Sequence, residues 1–512
     1  MTVNRVYRAV MAILVGCFTI LFLFVLFSNP YLQNKYINRA IVFGLMLVFS
    51  FILFWGYRLL RKHRQYFTTR RTIMILVVLL TLFFVLQLLF VKSAYVLPSW
   101  DFGAVYGSVK AVVCEGKSLQ DLPQEQLYFT KFPNNAGIFL ILSGILKGLQ
   151  IIGFSINSSN VLWYCLVINC IFIQIALWLA VTIFIRMKRN HDAILLAFLL
   201  MGGMVILLYC PIFYTDTLSM FVPLLLFHLI LSYERRPLIR YAVGFMAVSL
   251  VGYLIKLTSV FVIFAYVVFF VLKVGKEKLR RNIRKWVPFF LSILAFVMLL
   301  YPINGKIQKE LGITDEMQER YQFPYTHWVM MGMYEQKDRA GGYFLDAYTY
   351  TEQFETKKEK SDRNIEKIGE IVKDRGVKGE ITFLLHKGVY TWGDGLFFSV
   401  QKLMRGQQNP DGIFRFLWDN EEAHEQEGIS YYTTVFWYSV LLFVILSFWM
   451  VLFNKRVSRL DILRISIMGL AVFLLIWETR SRYLVAYLPI LYIVAVDGMK
   501  QVYNRTQKRR LL

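Results

Sequence analysis

The sequence predicts an all-α polytopic membrane protein. It should have about twelve or thirteen transmembrane helices, re-entrant or juxtamembrane pieces, and an outward-facing soluble region. Three observations predict it. Apolar runs long enough to cross a bilayer recur along the 512 residues, and 57% of the chain is hydrophobic. About 20 residues span the hydrocarbon, whereas a soluble core breaks into shorter elements between polar turns. Second, the basic residues gather in short connections between these runs. Third, the acidic residues gather in one long connection: residues 302–430 hold 17 Lys and Arg against 22 Asp and Glu, and the rest of the chain holds 40 against 11. The net charge of +24 is therefore a positive-inside signature and not a nucleic-acid-binding surface.

The first apolar run, residues 9–27, lacks a small-residue cleavage site and is expected to stay as a helix. The basic connections at 58–71, 186–189, 235–240, 273–285 and 455–464, with the tail NRTQKRR, are assigned to the cytoplasm. The alternate connections then fall outside: 28–38, 92–133, 209–216, the surroundings of Lys256, 302–430 and 478–482. This alternation gives about twelve crossings with both termini inside. Residues 137–154 are apolar too, but one more crossing there would put every later basic loop outside. They are expected to dip into the outer leaflet or lie along it, which requires protein or a watery cavity around them.

The chain thus divides into an N-terminal transmembrane region 1–301 with a first outer loop 92–133, an extracellular soluble domain 302–430, and a C-terminal transmembrane region 431–512. The aromatic stretches FPYTHW, GGYFLDAYTYTEQF and VYTWGDGLFF argue that the soluble region folds. Of the five cysteines, Cys17, Cys165, Cys170 and Cys210 lie in apolar runs and Cys114 in a polar loop. They form no disulfide framework and no CxxC metal pattern.

Ionisable residues at the outer edge of the bilayer are the candidates for chemistry. Asp101, in SWDFGAVY, is the one acid between Thr68 and Glu115. Asp216 opens a crossing in FYTDTLSMF, Lys256 sits where two apolar runs meet, and Glu478, Arg480 and Arg482 share the turn WETRSRY. Such groups cost several kcal/mol at the hydrocarbon edge unless paired or hydrated, so six on one leaflet suggest a shared polar cavity. Each has a plainer reading. Asp216 fits a helix N-cap, Lys256 a side chain snorkelling to headgroups, Arg480 and Arg482 lipid contacts or partners of Glu478, and Asp101 a turn residue. His327 in PYTHW fits a structural histidine as well as a contact to a phosphate or sugar. Trp392 and Asp394 in TWGDG fit a sugar-binding pair. A carboxylate can act as general base toward a hydroxyl, and Arg and Lys can hold a phosphate. Together they read as group transfer from a lipid-phosphate donor.

Taken in order, SWDFGAVY, YFTKFPNNAGIFLIL, PIFYTDTLSMF, IKLTSV, FPYTHWVMMGM, GGYFLDAY and ETRSRYLVAYLP cover most of the chain. This ordered set resembles the GT-C type integral-membrane glycosyltransferases, near the protein O-mannosyltransferase and aminoarabinose-transferase branch, in a Gram-positive bacterial form. The resemblance implies a polyprenyl-phosphate-linked sugar donor and catalysis on the outer face of the cell membrane. It implies that Asp101 matches the essential acid of the first outer loop, and that Arg480 and Arg482 help hold the donor phosphate. Many such enzymes carry two adjacent acids in that loop. Here Trp100 and Phe102 flank Asp101, so Asp216 becomes the candidate for an acceptor-binding acid. The expected acceptor is a cell-surface polysaccharide or teichoic-acid-like hydroxyl. No cofactor and no metal is required, because resident cations can neutralise one leaving phosphate. The competing reading is a transporter that flips lipid-linked saccharides. That class shows repeated helix halves and compact loops, and this chain shows neither. An inactive relative that only binds lipid-linked glycans is a third.

Overall fold

The computed structural model of the protein describes residues 5–27, 38–273, 276–406, 425–453 and 457–509. Parts of three expected loops, at 28–37, 274–275 and 455–456, and of the soluble region, at 407–424, lie outside the described residues.

Three long helices open the chain: α1 (Arg5–Phe27), α2 (Arg39–Lys62) and α3 (Thr69–Ala94). Polar caps set two starts, with Asn38 Oδ1 accepting from the Ala40 amide at 2.9 Å and Thr68 Oγ1 from the Arg71 amide at 3.4 Å. Arg61 and Lys62 close α2, where cations suit the negative end of a helix. The expected first outer loop is itself helical. It folds into α4 (Trp100–Cys114) and α5 (Pro123–Lys131), and α6 (Ala136–Ile151) follows it after a bend of 106°.

The chain continues through α7 (Val161–Arg186), α8 (Asn190–Gly202), α9 (Val205–Leu208), α10 (Thr215–Leu218), α11 (Phe221–Arg235), α12 (Ile239–Ile255) and α13 (Phe261–Lys273). Then come α14 (Lys276–Glu310), α15 (Asp315–Tyr321) and α16 (Tyr325–Met331). A small antiparallel ribbon, β1 (Glu335–Gln336) with β2 (Arg339–Ala340), pairs Glu335 with Ala340. Next are α17 (Leu345–Glu352), α18 (Lys357–Trp392, broken at Gly376) and α19 (Ser399–Leu403). Helices α20 (Glu425–Phe453), α21 (Asp461–Ile476) and α22 (Leu488–Arg509) end the chain.

Among the described residues, eight helices are long and apolar enough to cross a bilayer: α1, α2, α3, α7, the Thr215–Arg235 stretch, the Lys285–Glu310 part of α14, α20 from Gly428, and the Ser481–Gln507 stretch holding α22. The protein is thus an all-α membrane protein. The other four expected crossings coincide with the shorter helices α8, α12, α13 and α21, of 13, 17, 13 and 16 residues. Each of these is continued by a break or a 3-10 turn on the side that the charge pattern puts outside: at 203–204, at Lys256–Val260, and at 477–487. Backbone of that kind at membrane depth needs protein or a cavity around it. The apolar piece expected to enter the outer leaflet is α6. Its 16 residues reach about 24 Å, short of the roughly 30 Å hydrocarbon.

Burial ranks the helices. The apolar window of Ser481–Gln507 is 89% buried, against 17% for that of Lys285–Glu310. The first is the hub and the second a peripheral strut. Small residues permit the close contacts that drive packing in lipid. A Cβ on Gly498 would lie 2.1 Å from the Phe443 carbonyl oxygen, so α22 seats directly on α20. A Cβ on Gly137 would lie 1.9 Å from the Leu254 oxygen, so α6 seats on α12 beside Lys256. Gly137→Val should therefore push α6 off α12 and destabilise the fold by about 1–3 kcal/mol. Thermal unfolding of the purified protein in detergent checks this; an unchanged midpoint would show that the two helices are not held together there.

Residues 302–406 share their core with the membrane helices. Leu311, Ile313, Phe383, Val389 and Trp392 join the main cluster, and a satellite of Met330, Met331, Phe344 and Ala347 lies apart. Helix α14 runs through Pro302 to Glu310, so the expected domain boundary falls inside a helix.

Two residues counted among the basic cytoplasmic connections, Arg189 and Arg464, are buried instead. Arg464 bonds Asp461 and Asp497 at 2.5 Å each and Ser447 Oγ at 3.1 and 2.7 Å. Arg189 bonds Asp497 at 2.5 Å and pairs with Asp192. The network ties the starts of α8 and α21 to α20 and α22.

Candidate functional site

Helix starts and broken segments bring the site together. Trp100 opens α4 with φ +50°, a left-handed value costly for a large side chain, and Asp101 follows in the first turn. Tyr128 of α5 donates to Asp101 Oδ1 at 2.9 Å, Asn135 Nδ2 donates to the Tyr128 hydroxyl at 2.6 Å, and the Tyr214 hydroxyl donates to Asn135 Oδ1 at 2.8 Å. This chain of donors orients one carboxylate oxygen. The other, Oδ2, accepts no hydrogen bond among the described residues.

The six residues singled out from the sequence do converge. Glu478 lies in the fields of Arg482, Arg480 and Asp101, and Lys256 in those of Asp216, Arg482 and Glu478. Asp216 does not cap its helix. Its carboxylate forms an ion pair with Lys256, with Arg482 Nη1 at 4.0 Å from the other oxygen. Lys256 does not snorkel outward; Asp216 and the Tyr483 ring, 4.9 Å away, hold it inside. Burial raises the Glu478 carboxyl, opposed by Arg482 and by the Tyr483 hydroxyl, which donates to it at 3.0 Å.

The cations divide into two kinds. Lys256 is neutralised by Asp216. Arg480, Arg482 and Lys402 rest mainly on aromatic faces and neutral phenols, which attract a cation without cancelling its charge, although Arg482 also lies 4.0 Å from Asp216. Arg480 lies 3.8 Å from the Phe398 centroid and donates to the Tyr390 hydroxyl at 3.2 Å. Arg482 lies 5.7, 5.4 and 5.1 Å from the rings of Trp100, Tyr214 and Tyr483. Its Nη1 is buried with no hydrogen-bond partner among the described residues, since 4.0 Å is too long for one. Lys402 of α19, not foreseen from the sequence, places Nζ 3.2 Å from the Trp100 centroid. Burial first, then Arg482, push its ammonium down to about 6, and Asp101 opposes them. Near neutral pH it therefore meets the ring mainly as an amine. Its signal was a lone cation in the apolar stretch GLFFSVQKLM.

Three further candidates are placed differently. His327 is buried between Phe323 and Trp328, and its Nδ1 shares a hydrogen with Thr351 Oγ1 at 2.8 Å. Burial pushes it down to about 3, so it is a neutral packing histidine whose bonded and ring partners lie outside the charged cluster. Trp392 has no open face for a sugar. It stacks on Trp437 at 6.5 Å, and Phe18 meets it edge-on at 5.2 Å. Asp394 accepts from the Leu396 and Phe398 amides at 2.9 and 2.8 Å and from Ser481 Oγ at 2.7 Å. It braces a loop in which Phe397 and Phe398 take φ +53° and +60°, and so presents Phe398 to Arg480. All five cysteines are free. Among the described residues, no three His, Cys, Asp or Glu side chains gather as a metal-ligand set.

Fold and site together define a multi-pass integral membrane protein with a charged, aromatic-lined centre where its short helices break. Residues 1–502 match the family described as conserved hypothetical integral membrane protein, and the chain belongs to that family. Neither the curated proteins nor the solved structures contain a match.

Proposed function

We propose that the protein is a membrane glycosyltransferase of GT-C type, moving a sugar from a polyprenyl-phosphate donor to a hydroxyl of a cell-surface polymer on the outer face of the cell membrane. The observation that carries this reading is the pairing of Asp101, with one carboxylate oxygen open, and three basic side chains that rest on rings, Lys402 and Arg482 at Trp100 and Arg480 at Phe398, the closest carboxylate contact among them being Arg482 at 4.0 Å from Asp216. A base and an anion clamp side by side are what a displacement at a phosphate-linked sugar needs. The acceptor oxygen bonds to the anomeric carbon and its proton passes to Asp101 Oδ2. The bond from that carbon to the phosphate oxygen breaks, and the polyprenyl phosphate leaves with the electron pair. Arg480, Arg482 and Lys402 receive its charge. Tyr128 holds the base in line, and the Asp216–Lys256 pair sets the floor beneath Arg482.

The test is binding of polyprenyl phosphate, with the uncharged polyprenol as control, to the purified protein. The phosphate should bind far more tightly, and Arg482→Met should remove most of the difference. Equal binding of the two lipids would defeat the reading. Lys402 adds a pH signature. In the free protein it takes a proton only near pH 6, and a bound phosphate favours the ammonium form. Binding then takes up a proton. Affinity should be highest below about pH 6 and fall as pH rises above it, by up to about tenfold per unit for one proton. Lys402→Met should remove that fall and leave only the titration of the phosphate itself.

A further inference from the structure

A basic cavity lies at the other end of the molecule. Helix α3 separates the two ends: Arg64 precedes its start, while Asp101 follows its finish, and 26 residues of helix measure about 39 Å. Helix α22 repeats the arrangement, starting beside Arg482 and Tyr483 and carrying Arg505 in its last turns.

At this far end Arg61, Lys62, Arg64 and Arg505 line a cavity of about 810 Å³ whose described lining contains no acidic residue. Met450 and Phe453 form its apolar wall. The positive-inside rule accounts for cations on these connections. It does not account for their closing around one space with a hydrocarbon wall. Two of the cations are fixed. Arg61 donates to the Tyr57 hydroxyl at 3.3 Å and to Asn504 Oδ1 at 3.2 Å, and it lies 5.0 Å from the Tyr503 centroid. Arg505 lies 4.1 Å from the Phe453 ring, where the basic and apolar parts of the wall meet. Within the two turns before Arg61, exposed Trp55 carries Arg58 at 5.1 Å, the pairing expected at the level of lipid headgroups.

We propose that this cavity binds the headgroup of an anionic phospholipid from the leaflet opposite the candidate catalytic centre, with the phosphodiester among Arg61, Lys62, Arg64 and Arg505 and an acyl chain against Met450 and Phe453. The apolar wall favours a lipid over a free phosphate, which would gain nothing from it. The site rests on none of the residues of the proposed glycosyl transfer.

Native mass spectrometry of the full-length protein in detergent tests it, titrating phosphatidylglycerol, phosphatidylcholine and inorganic phosphate separately. Phosphatidylglycerol should bind at least about tenfold more tightly than phosphatidylcholine. The double variant Lys62→Gln/Arg64→Gln should weaken it by about 30-fold, which is two charges at about 1 kcal/mol each. Neither side chain makes a hydrogen bond or ion pair among the described residues, so the fold should survive. The exchange Lys62→Arg/Arg64→Lys should restore binding and guards against a merely structural effect. Equal binding of the two lipids, or parent-like binding by the double variant, would overturn the proposal. Inorganic phosphate held as tightly as phosphatidylglycerol would overturn the lipid as ligand.

Discussion

Asp101→Asn is expected to lower sugar transfer by 10²–10⁴-fold, about 3–5 kcal/mol of barrier, without loss of donor binding. The amide keeps the size of the carboxylate and its acceptor oxygen for the Tyr128 hydroxyl, 2.9 Å away in the parent. It loses the basic oxygen that would take the acceptor's proton. The proposed phosphate clamp is untouched, because Arg480 and Arg482 rest on Phe398, Trp100, Tyr214 and Tyr483 rather than on Asp101. Transfer assayed with the purified protein and a polyprenyl-phosphate sugar, beside a binding measurement on the same preparation, separates the two steps. A variant that transfers at the parent rate would remove Asp101 as the base. One that loses donor binding and transfer together would make Asp101 a binding residue instead.

The second large effect concerns the fold at the opposite end. Arg464→Ala should destabilise the protein by about 3–5 kcal/mol, the usual cost of breaking a buried ion pair from one side. Arg464 is fully buried, and its loss leaves Asp461 without its guanidinium and Asp497 with one guanidinium, that of Arg189, besides the Gln501 amide. Replacing Arg464 and Asp461 together by Met and Leu should recover much of that loss, because well-packed apolar residues often substitute for a buried pair. The midpoint of unfolding in detergent for the single and paired variants provides the comparison. A single variant as stable as the parent would show that the network does not hold α21 to α20 and α22.

Much of this was legible along the chain. Apolar length marked the eight described helices long enough to cross, and the alternation of basic connections pointed to four shorter ones besides. Parity singled out residues 137–154, and the structure makes 137–151 part of a bent helix pair. The isolated acid in SWDF, the acid in FYTDT, the lysine in YLIKL and the charges of WETRSRY also stood out, because a bilayer makes any ionisable residue at its edge conspicuous. The short spacings Arg189 to Asp192 and Asp461 to Arg464 carried the sign of buried pairs, and charge counting alone passed them over.

What the sequence by itself determined is the membrane architecture and the membership of the site's six charged residues, since both follow from transfer of single groups out of water. What only the tertiary structure decided is how those groups divide the work. Which cation meets a carboxylate and which rests on a ring depends on neighbours far along the chain, as Lys256 does on Asp216 and Lys402 on Trp100. The same holds for His327 and Trp392, which read as candidates in isolation and lie packed among Phe323, Trp328, Trp437 and Phe18. Transfer from water is a property of a residue, whereas pairing is a property of two, and only the fold brings the second one within reach.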